Sequence, residues 1–438
     1  MSRRRTLITG IGAVSPLGIG IEPTWEALCR GESAIAPIKA FDATGFRSTL
    51  AAEVPDYALK EHIPKHYRKA AKVMLRDMEQ AVIAAKLGAE NAKLMTAGVD
   101  PDAQSDYQSE RMGCTIGAGL MAAEINDLSR ALATARDDAG SFSHELWGEG
   151  KMQNLTPLWM LTTLPNMLAC HVTILHQCKG PSNTVTCGEA SGLISIGEMS
   201  RIIERGDADM GLAGSAESKV NPAGLIRLDL AEKLARTQGE EGSGHEHVKP
   251  YSETSTGTVL GEGGALLVLE SEDTLSERGV KAIAEVAGFG SGLSAPKGDA
   301  DHRARGIIRA INASLEDAGI GADQVDAILP GALGEADIDA AELVALRSVF
   351  GKSLESKPLV MLVPAIGNAI AGYGGLQAGI GVKILQEQLL PPALVRGDLM
   401  PADINAAREE ATPGKFTNIL VLNRGFGGPA AALVLRAI

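Results

Sequence analysis

The chain has 438 residues, 45% of them hydrophobic, with 51 glycines, 3% aromatics and a formal charge of −13. That is enough apolar material for one large duplicated α/β body or two to three domains. The negative charge and scarce aromatics exclude a general nucleic-acid binder. Five scattered cysteines form no disulfide framework and no CxxC pattern, so neither a metal nor a cofactor is expected.

Taken in chain order, the start Met-Ser-Arg-Arg-Arg is basic without a long apolar run after it. It reads as the lead into a first strand rather than a signal peptide, which implies a cytoplasmic, reducing location. Thr6 to Pro16 is a short apolar strand ending in a glycine turn, and Ile21 to Arg30 a helix. A loop surrounds Phe41 to Gly45. Pro64 opens an alanine-rich amphipathic helix running to about Leu87. Lys65, Arg68, Lys69 and Lys72 have i, i+3, i+4, i+7 spacing, which places them on one helix face with Arg76 extending it. Such a face is either simply solvated or a docking surface for an acidic partner.

Gly113 to Gly119 is a second strand, and residues 123 to 152 are polar and helical. Pro157 to His176 is apolar and mixed; His171 and His176 read as core or surface histidines. Asp207 to Glu217 and Gly263 to Glu270 are buried strands, separated by a charged loop from Leu230 to His247. The second half continues the alternation, with a strand at Lys281–Gly290, a helix at Ala304–Ala318, a strand from Val325, a helix at Ala340–Phe350, and final strands in Phe416–Asn423 and Ala430–Leu435. Alternating strands and helices imply a layered α/β fold. Pro358 to Val382 carries no charge, but its six glycines, internal proline and asparagine make it a buried strand–turn–helix rather than a membrane span. Gly288 to Pro296 faintly echoes Gly10 to Pro16, a hint of duplication, with halves at 1–265 and 266–438.

Several glycine strings fall in a recognisable order: Thr9-Gly-Ile-Gly-Ala-Val-Ser-Pro-Leu-Gly18, Gly180-Pro-Ser, Arg205-Gly-Asp-Ala-Asp, Gly214-Ser-Ala-Glu-Ser, Val259-Leu-Gly-Glu-Gly-Gly-Ala, Ala336 to Gly351 and Gly425-Phe-Gly-Gly428. Together they resemble the β-ketoacyl-acyl-carrier-protein synthases over nearly the whole chain. The resemblance implies a thiolase-like five-layer α-β-α-β-α fold built from two similar halves, normally a dimer.

The family reaction uses a nucleophilic cysteine, two histidines and a lysine. By the resemblance, the cysteine position holds Glu189. The first histidine position falls on Gly331, with Asp339 and Glu342 retained as anchors. The second falls on Asn368, and the lysine on Val363. The phenylalanine that guards the pocket is replaced by Arg424, next to Gly425 and Phe426. A carboxylate is a poor thioester nucleophile.

Glu189 reads as a helix cap filling a dead site, with a variant in which it pairs with Arg424 across the old pocket, or as a new acid or base. Cys187 is either a displaced nucleophile or a small core residue. The chain most resembles the chain-length factors, non-catalytic ketosynthase-like subunits that pair with an active ketosynthase and shape its acyl tunnel. On that resemblance the Gly180–Val185 strand forms the dimer edge. Trp159, Met160, Leu164 and Met167 line the interface and tunnel, with a plain hydrophobic core as the other reading. Lys65, Arg68, Lys69 and Lys72 help receive the acyl carrier protein. A divergent Glu189-dependent thioester enzyme and a homodimeric acyl binder are the alternatives.

Overall fold

The computed structural model describes residues 3–119, 125–155, 157–239, 243–395, 400–406 and 408–438. Its principal elements are β1 (Thr6–Ser15), α1 (Arg76–Asn91), β2 (Met112–Gly117), α2 (Met167–His176), β3 (Ser182–Val185), α3 (Ser191–Glu204), β4 (Met210–Ser218), β5 (Leu260–Ser271), β6 (Ala284–Leu293), α4 (Ala300–Ala318), β7 (Ala327–Leu329), α5 (Ala336–Phe350), α6 (Ala371–Glu387), β8 (Asn418–Arg424) and β9 (Pro429–Arg436).

The strands follow the path β7-β8-β9-β6-β1-β5-β4-β2-β3. Two half-sheets meet in the middle of that path, where β1 pairs with β6 through Leu7 with Glu285 and Ile8 with Ala284. Helices α3 and α6 lie between the half-sheets, α1 and α2 cover the first outside, and α4 and α5 cover the second. This is the five-layer α-β-α-β-α arrangement of the thiolase-like fold. Apolar cores join the layers: a central one on both faces of the α3/α6 layer, containing Leu193, Ile196, Tyr373 and Ile380, and two outer ones around Met78 with Leu168 and around Ile307 with Leu346.

The glycine-rich strands explain how the layers come close. A Cβ on Gly12 of β1 would stand 1.8 Å from the Ala84 carbonyl of α1. A Cβ on Gly290 of β6 would stand 2.1 Å from the Ala310 carbonyl of α4. The faint echo between the two strings therefore has a physical basis, because each strand lets its covering helix approach backbone to backbone. Gly12→Ala is expected to cost about 1–3 kcal/mol or more, as overpacking against rigid backbone does. Urea unfolding checks this. A division at 265/266 falls inside β5, which pairs with β1 and β4 along its length.

Several element boundaries differ from the sequence expectation. The helix expected from Pro64 to Leu87 is two pieces: a 3-10 segment at Lys65–Val73, then α1, with extended backbone at Met74 and Leu75 between them. Contacts distant in sequence set the break. Arg76 grips Glu262 through Nε (2.7 Å) and Nη2 (2.6 Å), and Asp77 meets Lys219 at 2.9 Å. The expected basic face changes accordingly. At three residues per turn, Lys65 and Lys69 no longer share a line: Lys65 aligns with Arg68, and Lys69 with Lys72, about 120° around. All four side chains remain exposed, whereas Arg76 is held by Glu262 and does not extend them.

Residues 123 and 124 of the polar helical stretch lie outside the described residues, as do 240–242 of the charged loop. Within Pro358–Val382 the expected strand is replaced by single bridges at Pro358 and Leu359, a short helix at Val363–Ile366, and then α6. No helix among the described residues is long and apolar enough to cross a membrane.

Candidate active site

Glu189 follows the turn after β3 and precedes the first residue of α3 by two. Gly188 takes φ 59°, a left-handed conformation that glycine adopts without strain. Ser191 closes the turn: its Oγ accepts from the Cys187 N–H at 2.8 Å and donates to the Gly188 carbonyl at 2.6 Å. Glu189 itself does not cap the helix. Ala190 occupies the N-cap position without a side-chain cap, and the Glu189 carboxylate turns into the protein, where it is fully buried.

Two groups receive that carboxylate. The Asn368 amide donates to Oε1 at 3.3 Å, and the Phe426 N–H donates to Oε2 at 3.3 Å. Asn368 is itself fixed, since its Oδ1 accepts from the Ile370 N–H at 2.8 Å. Burial pushes the Glu189 carboxyl up to about 7, against the opposing pull of its own backbone N–H and of these two hydrogen bonds, with nearby Glu217 adding a smaller push upward.

The expected ion pair with Arg424 does not form. Arg424 is 2% exposed and makes no salt bridge among the described residues, and its Nε and Nη2 are buried without hydrogen-bond partners. Its backbone explains its placement: β8 ends at Arg424, whose N–H donates to the Asn423 side chain at 2.9 Å.

Gly331 lies in a loop held by two carboxylates. Glu342 accepts from the Gly331 N–H (2.8 Å) and the Ala332 N–H (2.9 Å), and Asp339 from the Leu333 and Gly334 N–H groups (3.0 Å each). Tyr251 adds its hydroxyl to Glu342 and its N–H to Asp339. Ala332 sits at φ 43°, an uncommon position for alanine that this clamp enforces. Burial, with Glu342 alongside, raises the Asp339 carboxyl to about 8, and burial raises Glu342 as well. Val363 is fully buried at the start of its short helix and offers no polar group.

Cys187 is half-buried and bridges backbone to Glu189. Burial raises its thiol above the ordinary value, the opposite of what a thiolate nucleophile needs. His176 is a core residue bonded to Thr96 at 2.7 Å, and burial lowers it to about 4. His171 is buried too and meets the Tyr67 hydroxyl at 2.8 Å. Among the described residues no cluster of histidine, cysteine or carboxylate could hold a metal.

The four apolar residues expected at the tunnel are not brought to Glu189. Met167 starts α2 and packs into the outer core, on the face of the first half-sheet opposite α3. Trp159 is half-buried, while Met160 (56%) and Leu164 (36%) are exposed in the single chain.

Two carboxylates matter here to which the sequence motifs alone assign no role. Glu217 accepts from the Ala371 N–H (2.7 Å) and pairs with Lys219 (2.9 Å), so it anchors the start of α6 beside Asn368. Glu262 takes Arg76, Ser218 and the Val54 N–H. Both acids fall inside glycine strings, and an acid within an apolar strand is the signal that could have found them.

A buried strand–turn–helix junction, a facing glycine loop and a carboxylate-clamped loop from the second half together define a thiolase-like ketosynthase site. Models of the β-ketoacyl synthase N-terminal domain and C-terminal domain match residues 3–274 and 283–395, and the chain belongs to that family. It is 28% identical over 446 residues to the 3-oxoacyl-[acyl-carrier-protein] synthase 2 of Vibrio harveyi, covering all of both chains. Among solved structures it is similar to the ishigamide ketosynthase/chain length factor (TM-score 0.82, 25% identity, all of both chains covered). It is also similar in fold to a β-ketoacyl synthase from Burkholderia phymatum STM815 (TM-score 0.83, 24% identity, 99% of this chain and 100% of that one).

Proposed function

We propose that this chain is a catalytically degenerate ketosynthase subunit that pairs with an active ketosynthase and shapes the acyl tunnel in polyketide or fatty-acid biosynthesis. The observation that carries this is the buried Glu189 held by Asn368 and the Phe426 N–H, with glycine at 331 and valine at 363. A carboxylate that already accepts two hydrogen bonds is a weak nucleophile, and no imidazole among the described residues stands beside it to polarise a thioester. Strand β3 lies at the end of the sheet path with Ser182 and Asn183 exposed, and Met160 and Leu164 are exposed shortly before α2, which packs on it. An open sheet edge with apolar residues nearby supports a second chain adding there.

Incubated alone with an acyl-pantetheine thioester, the chain is expected to show no acyl adduct by intact mass and no thioester cleavage above background. The competing reading, a Glu189-dependent enzyme, draws on its carboxyl being near 7, where a general base works well. Turnover by the wild type that disappears in Glu189→Gln would establish that reading instead.

The acyl carrier protein is the second proposed partner, through the exposed Lys65, Arg68, Lys69 and Lys72. Reversing Lys65 and Arg68 to glutamate is expected to weaken carrier-protein binding about tenfold at low salt, with the difference shrinking as ionic strength rises. Binding titrations at two salt concentrations check this.

A further inference from the structure

Arginine is charged at every ordinary pH, so a guanidinium taken out of water needs an anion or a full set of acceptors. Arg424 has neither among the described residues. Its Nε and Nη2 are enclosed and hydrogen-bond to nothing. These are the two donors on one edge of the guanidinium, the edge that grips a carboxylate side-on with both its oxygens.

Other arginines of this chain show what that edge does. Arg5 places Nε and Nη2 on the two oxygens of Glu285, Arg76 on those of Glu262, Arg111 on those of Asp209, and Arg347 on those of Asp403. The carboxylates nearest Arg424 are committed elsewhere. Glu189 takes Asn368 and the Phe426 N–H, and Glu342 takes Gly331, Ala332 and Tyr251. Both, and Glu335, attract Arg424 through space without bonding to it, while burial and the charge of Arg303 act against its guanidinium. Toward the surface, Lys233 lies over the Phe426 ring and pairs with Glu335, and Arg303 pairs with Asp337. On the same loop Phe426 is half-buried and Gly427 is exposed, so the chain next to Arg424 reaches the surface within three residues.

We infer that Arg424 is the receptor for a free carboxylate carried by an acyl thioester, gripped through Nε and Nη2. The inference rests on reading the region of Glu189, Phe426 and Arg424 as an acyl site. The gate position then selects by charge: chains ending in a carboxylate are accepted, and neutral chains leave the guanidinium unpaired. The carboxylate is that of a malonyl-type unit or the far end of a longer dicarboxylic chain, two sources that share one chemistry.

The test uses hydrolysis-resistant amide analogues of pantetheine: malonyl, suberyl, the methyl ester of each, and hexanoyl. Calorimetry on the purified chain, in the assembly in which it purifies, is expected to give at least about tenfold tighter binding for a carboxylate than for its methyl ester. Preference for malonyl over suberyl, or the reverse, identifies which carboxylate is read. Arg424→Met should erase the preference without lowering Tm in ligand-free protein, because it removes an unpaired buried charge. Arg424→Lys should retain less of the preference, having charge but no fork. Equal binding of acid and ester overturns the inference. So does a fall in Tm of Arg424→Met that vanishes in a Glu189→Gln background, which would make Glu189 the counterion. Ligand preference is read without any partner chain, so it fails or holds separately from the pairing with an active ketosynthase.

Discussion

Lys219→Met is expected to destabilise the protein by about 3–5 kcal/mol at pH 8, the cost of breaking a buried ion pair from one side. Lys219 stands between Asp77 and Glu217, 2.9 Å from each, and all three side chains are almost fully enclosed. Both acids raise the lysine's affinity for its proton, outweighing the burial that opposes it. Methionine fills similar volume but leaves two carboxylates in a dry interior, where one or both must take up a proton. The deficit should therefore shrink as pH falls. The damage should also reach the site, because Glu217 holds the Ala371 N–H at the start of α6, shortly after Asn368. Denaturant unfolding at pH 8 and pH 5 checks the magnitude and the sign. A variant as stable as the wild type at both would show that the triad contributes nothing to stability.

Glu189→Gln is expected to act in the opposite direction. The Glu189 carboxyl sits near 7 in the folded chain against an ordinary value of 4.5, chiefly because of burial. In that window the folded state keeps a proton that the unfolded state releases. Stability from this group is complete below about pH 4.5 and is lost as pH rises through about 7, a decline of about 3 kcal/mol. Glutamine never ionises and should lack the decline. It gives up one acceptor, leaving the Phe426 N–H unpaired at about 1 kcal/mol. The variant should then be about 2 kcal/mol more stable than wild type at pH 8, and slightly less stable at pH 4. Lower stability at pH 8 would mean the charged carboxylate is stabilising, as in a pair with Arg424.

The layered fold was legible because its determinants are local. Gly10-Ile-Gly12 and Gly288-Phe-Gly290 mark strands against which a helix must lie close, and a string of letters records that directly. That Glu189 and Asn368 belong to one site was legible in the same way, each following a glycine turn, and the structure joins them by a hydrogen bond. What failed depended on partners far along the chain. The alanine-rich pattern runs smoothly from Pro64 to Leu87, and only Glu262 and Lys219 disclose that the backbone breaks at Met74. The Glu189–Arg424 pair was a fair expectation from charge and topology. Which way each side chain turns is decided instead by Asn368 and the Phe426 N–H, neither of which the sequence singles out as a donor to Glu189. Trp159, Met160 and Leu164 are a different case: expected at an interface and tunnel with a plain core as the other reading, they are half-buried or exposed in the single chain, so the plain core is not their place.

Native mass spectrometry of this chain co-expressed with an active ketosynthase from the same source tests the proposed pairing most directly. The expected result is a one-to-one heterodimer in which only the partner carries an acyl adduct after incubation with an acyl thioester. A homodimer that ignores the ketosynthase, or an adduct on this chain, would contradict a non-catalytic partner role.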